Sequence, residues 1–217
     1  MATTTRTDED LAAALSVAVA IGVFGVVYGA TAAPQLGTAT TVLSSALVFS
    51  GAGQFSMVAL LAAGAGPLAA LGATVPLALR HLPLGAVLRP HLTAGPARRA
   101  ALSWFLIDET TGLALARPDR VERTLTVAGG LAYGAWVVGT AAGVGGAALP
   151  AVEPLAGALF PVLFIGLAAV TSAGADGAGR AVLAGVAALV LLVLWPGAGV
   201  LGAIAVAVGV ALPGATR

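Results

Sequence analysis

Five polar side chains stand inside otherwise apolar surroundings: Gln54, Arg80, His81, Asp108 and Glu109. Polar and ionisable groups kept in such surroundings suggest the handling of a small polar solute. An arginine can clasp a carboxylate with two parallel N–H···O bonds. An aspartate or glutamate can hold an ammonium group or a proton, and a histidine titrates near neutral pH and suits a proton-coupled step. Gln54 lies in the stretch Phe49-Ser50-Gly51-Ala52-Gly53-Gln54-Phe55. Gly51 and Gly53 weaken a helix there and expose backbone, so an amide at 54 can hydrogen-bond a polar ligand. Gln54, Arg80, Asp108, Glu109, Gly51 and Gly53 are therefore the candidate substrate contacts. His81, Asp108 and Glu109 are the candidate proton carriers.

Plainer readings stand beside these. Neighbouring residues on a helix point about 100° apart, so one of Asp108 and Glu109 can pair with Arg80 while the other faces a cavity. The same pair can equally be a structural ion pair that fixes helix packing, or can lie in water at the membrane surface. His81 can be a packing residue, and Gln54 can simply bond a neighbouring helix. His81 and His91 are ten residues apart with no third ligand evident, so no metal site is expected. No nucleophile–base set, HExxH, phosphate loop or dinucleotide fingerprint is present; neither an enzyme nor a cofactor is expected.

The elements that must carry these residues follow from composition. Of 217 residues, 59% are hydrophobic and 9% charged, against about 25% charged in a soluble domain. Residues 11–79, 124–152, 154–175 and 181–216 are runs without charge. A spanning helix needs about 20 apolar residues, and lipid admits only helices or closed barrels. The runs lack the alternation of barrel strands. The expected fold is an all-α polytopic transmembrane bundle of about seven spans, near 11–33, 41–63, 67–88, 124–148, 155–174, 181–195 and 198–213. A polar N-terminal tail, 1–10, precedes a single transmembrane domain over 11–213. Pro76, four residues before Arg80, is expected to kink or break the third span, freeing backbone groups that can coordinate a solute.

Segment 100–116 is apolar except for Asp108 and Glu109 and has arginines on both flanks: Arg98 and Arg99, then Arg117, Arg120 and Arg123. Cytoplasmic loops collect arginine, so this segment is expected to be re-entrant, with 89–123 inside and the acidic N-terminus outside. Acidic residues ahead of the first run argue against a cleaved signal peptide. The ten basic residues are all arginine and net charge is +1, with no basic stretch suited to nucleic acid. The absence of cysteine excludes disulfides and thiolate metal sites. Tyr28-Gly29-Ala30 and Tyr133-Gly134-Ala135 hint at an internal repeat.

These residues also resemble a known family. Val48-Phe49-Ser50-Gly51-Ala52-Gly53-Gln54-Phe55 resembles the VFAGxxQF signature of the AzlC family, the large subunit of bacterial branched-chain amino acid exporters. Leu79-Arg80-His81 with Leu84 and Leu88-Arg89-Pro90 resembles its NLRHxLY block. Ile107-Asp108-Glu109-Thr110 with Leu113-Ala114 resembles its LTDExFAL block, and Leu159-Phe160 through Leu167 its later helix. Ala78 and Ile107 replace the family's common Asn and Thr, and Pro83 interrupts an aliphatic-aromatic run. The resemblance implies export of branched-chain amino acids coupled to protons. It also implies residence in the bacterial inner membrane and a small partner of the AzlD type with about four spans. The alternative is a membrane scaffold or assembly subunit whose buried charges are structural.

Overall fold

The computed structural model describes residues 2–146, together with 179, 183, 186, 190 and 194. The chain divides into two compact units, Met1–Phe164 and Ile165–Arg217. In the second unit the five described residues are helical, and Leu183, Val186, Val190 and Leu194 are exposed. They fall in the expected span 181–195; spans 155–174 and 198–213 lie outside the described residues.

The first unit is built from helices alone among its described residues. They are α1 (Ala2–Leu36), α2 (Thr38–Leu47), α3 (Gly51–Ala62), α4 (Pro67–Ala78), α5 (His81–Leu88), α6 (Pro96–Ser103), α7 (Asp108–Leu115) and α8 (Val121–Gly143). Their boundaries have local causes. Gly37 and Gly64 take positive φ, 78° and 84°, a conformation that costs glycine little. Past α3, Ala65 N–H bonds Leu60 O and Gly64 N–H bonds Leu61 O, a Schellman-type end. Pro67 and Pro96 open α4 and α6, where a missing N–H does no harm. The backbone of residues 2–10 is helical and continuous with the rest of α1.

Among the described residues, two helices are long and apolar enough to cross a membrane: Asp10–Leu36 within α1, and α8. They form the central pair and touch backbone to backbone. A Cβ on Gly29 would overlap Thr140 O, one on Gly139 would overlap Gly22 O, and one on Gly143 would overlap Val26 O. Small residues spaced by four permit such approach, and close packing drives helix association in lipid. The contacts advance together, from Gly22 with Gly139 to Val26 with Gly143, so α1 and α8 run parallel.

Salt bridges define one end of this pair. Asp10 accepts from Arg117 and from Arg120, each at 2.9 Å. Glu122 accepts from Thr93 N–H at 2.9 Å and Ala94 N–H at 2.7 Å, and faces Arg98 at 3.4 Å. The start of the apolar part of α1, the loop before α6 and the loop after α7 thus gather where α8 begins. This corrects the expected topology: Asp10 lies on the same side as 93–123, not opposite it. The outside N-terminus follows from counting three crossings before residue 89; Asp10 is instead held at this end by two arginines.

The expected span 41–63 is also corrected. It is two helices, separated at Val48–Ser50 by extended backbone (Val48 φ −133°, ψ 106°; Ser50 φ −148°, ψ 83°). Gln54 Nε2 lies 3.5 Å from Ser44 Oγ. Ten residues of straight helix would hold those positions about 15 Å apart, so the chain folds back between them. At Leu79–Arg80, by contrast, both residues stay right-handed helical (φ −60° and −57°). That break, three residues past Pro76, is a tightened turn.

Candidate functional site

Two chain breaks meet on α8. Tyr133 packs edge-on against Phe49 of the α2–α3 break at 5.6 Å. It also packs against Trp104 and Phe105 of the α6–α7 break, at 6.2 and 6.4 Å. Its hydroxyl donates to Ala46 O at 2.8 Å, one of the carbonyls that the end of α2 leaves without a helical partner. Twelve residues separate Val121 from Tyr133, about 18 Å along the axis, so the junction sits deep within the bundle. Tyr28 is fully buried beside it. It stacks on Trp136 at 5.4 Å, meets Phe55 edge-on at 5.6 Å, and its hydroxyl lies 2.8 Å from Ser44 Oγ.

The α6–α7 turn is shaped by Thr110. Its hydroxyl accepts from Ile107 N–H at 3.1 Å and donates to Phe105 O at 2.6 Å. Ile107, extended at φ −125°, buries its side chain among Tyr28, Val58 and Trp136. Asp108 and Glu109 follow as the first residues of α7, where free N–H groups and the helix dipole favour negative charge.

This turn brings Asp108 to Arg80: Nη1 to Oδ2 is 3.0 Å, with the two side chains 32% and 23% exposed. Arg80 Nε is buried and has no partner among the described residues. An unmet donor on a buried charged group is costly, and a guanidinium with one N–H committed keeps others for a second anion. Glu109, next in the chain, is half-buried and forms no salt bridge among the described residues.

The other candidates separate from this pair. His81 directs Nδ1 at Ala78 O, 2.8 Å away, and so closes α4. Gln54 is 2% exposed and holds Ser50 N–H at 3.4 Å and Ser44 Oγ at 3.5 Å, both at the long limit of hydrogen bonding. A Cβ on Gly51 would touch the Trp136 ring at 3.5 Å, and one on Gly53 would crowd Ser50 Oγ at 3.2 Å. Gly51 thus lies in ordinary contact distance of α8, and Gly53 leaves room for the Ser50 side chain within its own turn. Phe49 and Phe55, flanking Gln54, belong to the same apolar cluster as Ile107, which ties the amide's surroundings to the α7 turn.

The family model described as AzlC protein matches residues 16–149, more than half of the chain. The chain belongs to the AzlC family. No curated protein and no solved structure matches it. AzlC proteins are associated with branched-chain amino acid transport, and with its apolar helices this member is a membrane protein. The match covers the blocks at 48–55, 79–90 and 107–114, whose residues form the three chain breaks. The block at 159–167 lies beyond both the match and the described residues.

In this AzlC chain several contributors carried no sequence signal of their own. Thr111 Oγ1 and Trp136 Nε1 are buried without partners among the described residues, as is Arg80 Nε. Thr111 is one turn beyond Asp108 on α7, so its spacing from the acid was the available clue. Tyr133 stood out only through a three-residue match with Tyr28.

Proposed function

We propose that this AzlC chain is the large subunit of a secondary transporter that exports branched-chain or similar hydrophobic amino acids across a bacterial inner membrane. Coupling to protons and a small AzlD-type partner of about four spans belong to the same reading. The observation that carries it is the Arg80–Asp108 pair at two chain breaks, with Arg80 Nε left open. Charges at bilayer depth cost about 2.5–3.5 kcal/mol each on insertion scales, so a pair kept there calls for a use.

The helix ends support one arrangement. α1 crosses from the arginine-rich side, α2–α3 dips in from the far side and returns, and α4–α5 crosses back. α6–α7 dips in from the arginine-rich side and returns, and α8 crosses again. Arginine-rich loops face the cytoplasm. The two dips meet at Tyr133, and discontinuous helices at such depth form substrate sites in many transporters. The whole transmembrane domain, 11–213, adds the spans expected beyond residue 146.

In this reading the amino acid's carboxylate takes the open N–H groups of Arg80, and its ammonium group takes Asp108 or Glu109. The aliphatic side chain lies against apolar helix walls. Protonation of a carboxylate loosens its hold on Arg80 and frees the guanidinium for substrate, which links proton and amino acid. His81, Gln54 and the backbone at Gly51 and Gly53 complete the path as proton relay and polar contacts.

Exchanging the charges tests the reading against a scaffold role. Arg80→Asp with Asp108→Arg keeps an ion pair. Restored insertion without export is expected of a substrate site. Recovery of both makes the pair structural.

A further inference from the structure

A cleft of roughly 410 Å³ opens between the end of α5 and α6, with neither Arg80 nor Asp108 in its lining. Two stretches wall it: Gly85, Leu88 and Arg89 on one side, Arg99, Leu102 and Leu106 on the other. Gly85 and Leu88 share a face of α5, and Arg99 and Leu102 a face of α6; Arg89 directly follows α5, and Leu106 lies in the turn after α6. Leu88, Leu102 and Leu106 are buried, Arg89 is exposed and Arg99 is half-buried. The cleft is thus leucine below and guanidinium at the mouth.

Neither arginine forms a salt bridge with a described residue. The acid beside the loop, Glu122, is taken by Arg98, Thr93 and Ala94. Adjacent arginines therefore divide their roles: Arg98 is paired, and Arg99 turns to the cleft. Both guanidiniums lie at the membrane end that collects the chain's arginines. Uncompensated positive charge over an apolar floor calls for a ligand that is anionic at one end and hydrocarbon at the other. A free phosphate would leave the open apolar lining, Leu92, Pro96 and Ala100, unused.

We propose that this cleft binds an anionic phospholipid from the leaflet on the arginine-rich side, with its phosphate between Arg89 and Arg99 and an acyl chain along the open apolar lining at Leu92, Pro96 and Ala100. Basic pockets between membrane helices bind such headgroups by this chemistry. The bound lipid fastens α5 to α6, the elements on either side of the loop that Glu122 holds. The inference needs the membrane setting but not the transport reading.

The test is binding of phosphatidylglycerol to the full chain in uncharged detergent, read by native mass spectrometry and by thermal midpoint. Phosphatidylcholine with the same acyl chains and inorganic phosphate are the comparisons. Phosphatidylglycerol is expected to bind and raise the midpoint; the other two are expected to have little effect. R89Q/R99Q should weaken phosphatidylglycerol binding about tenfold or more, since each basic residue contributes about fivefold near an anionic surface. S103W keeps both arginines, fills the cleft and should also abolish binding, which guards against loss of fold in the double variant. Unchanged phosphatidylglycerol binding in either variant overturns the proposal. So does inorganic phosphate acting as strongly as the lipid.

Discussion

The Arg80 guanidinium meets the Asp108 carboxylate at 3.0 Å, joining the tightened turn between α4 and α5 to the first turn of α7. Each partner stands at a chain break, and neither break makes sense as a continuous apolar span. The pair is the ionic contact that ties these two breaks together among the described residues.

The side on which each loop emerges is open to a direct check. The chain has no cysteine, so single cysteines report cleanly. Ala97→Cys and Pro118→Cys, both exposed positions flanking α6–α7, are expected to react with a membrane-impermeant thiol reagent from the cytoplasmic side. Ala63→Cys, beyond the fold-back, is expected to react from the other. Labelling of 97 and 118 from opposite sides would mean that α6–α7 crosses.

Helix contact between α1 and α8 should respond sharply to added volume. Gly29→Leu and Gly139→Leu place side chains where Thr140 O and Gly22 O already sit. Overpacking of this kind costs about 1–3 kcal/mol, and backbone that cannot yield puts these sites at the upper end. Gly130→Ala and Gly134→Ala meet nothing within 4 Å and should be neutral or slightly stabilising, since alanine favours helix by up to about 1 kcal/mol. Thermal unfolding in detergent separates the two groups.

How much of this could be read from the sequence depended on what left a chemical mark. The helix start at Pro67, the break near Arg80 and the pairing of Arg80 with a neighbouring acid were all legible, because proline and buried charge are rare and costly there. The fold-back at Val48–Ser50 was not. An apolar run reads the same whether it crosses or turns back, and Ser50-Gly51 is a weak turn signal among so many glycines. The side of the N-terminus was missed with it, since three crossings were counted before residue 89; the position of Asp10 is set by Arg117 and Arg120, more than a hundred residues away. Long-range pairing of that kind leaves no local pattern.

Thr110 should matter more than a threonine in an apolar helix usually does. Thr110→Ala removes the hydroxyl that serves both Ile107 N–H and Phe105 O. The two stranded backbone groups cost about 1–3 kcal/mol each. Thr110→Ser keeps the hydroxyl and should recover most of that stability. Equal melting of the two variants would remove Thr110 as the shaper of the α7 turn.

The central claim, that Arg80 and Asp108 handle the transported zwitterion, is tested most directly by export itself. Efflux of valine, leucine and isoleucine is measured in cells making this chain with its small membrane partner, with insertion checked by the cysteine reporters. Arg80→Ala and Asp108→Asn are expected to insert normally and to lose export at least about tenfold, as removal of a charged contact to a bound ligand does. Export at the wild-type rate from an inserted Arg80→Ala protein would contradict the claim.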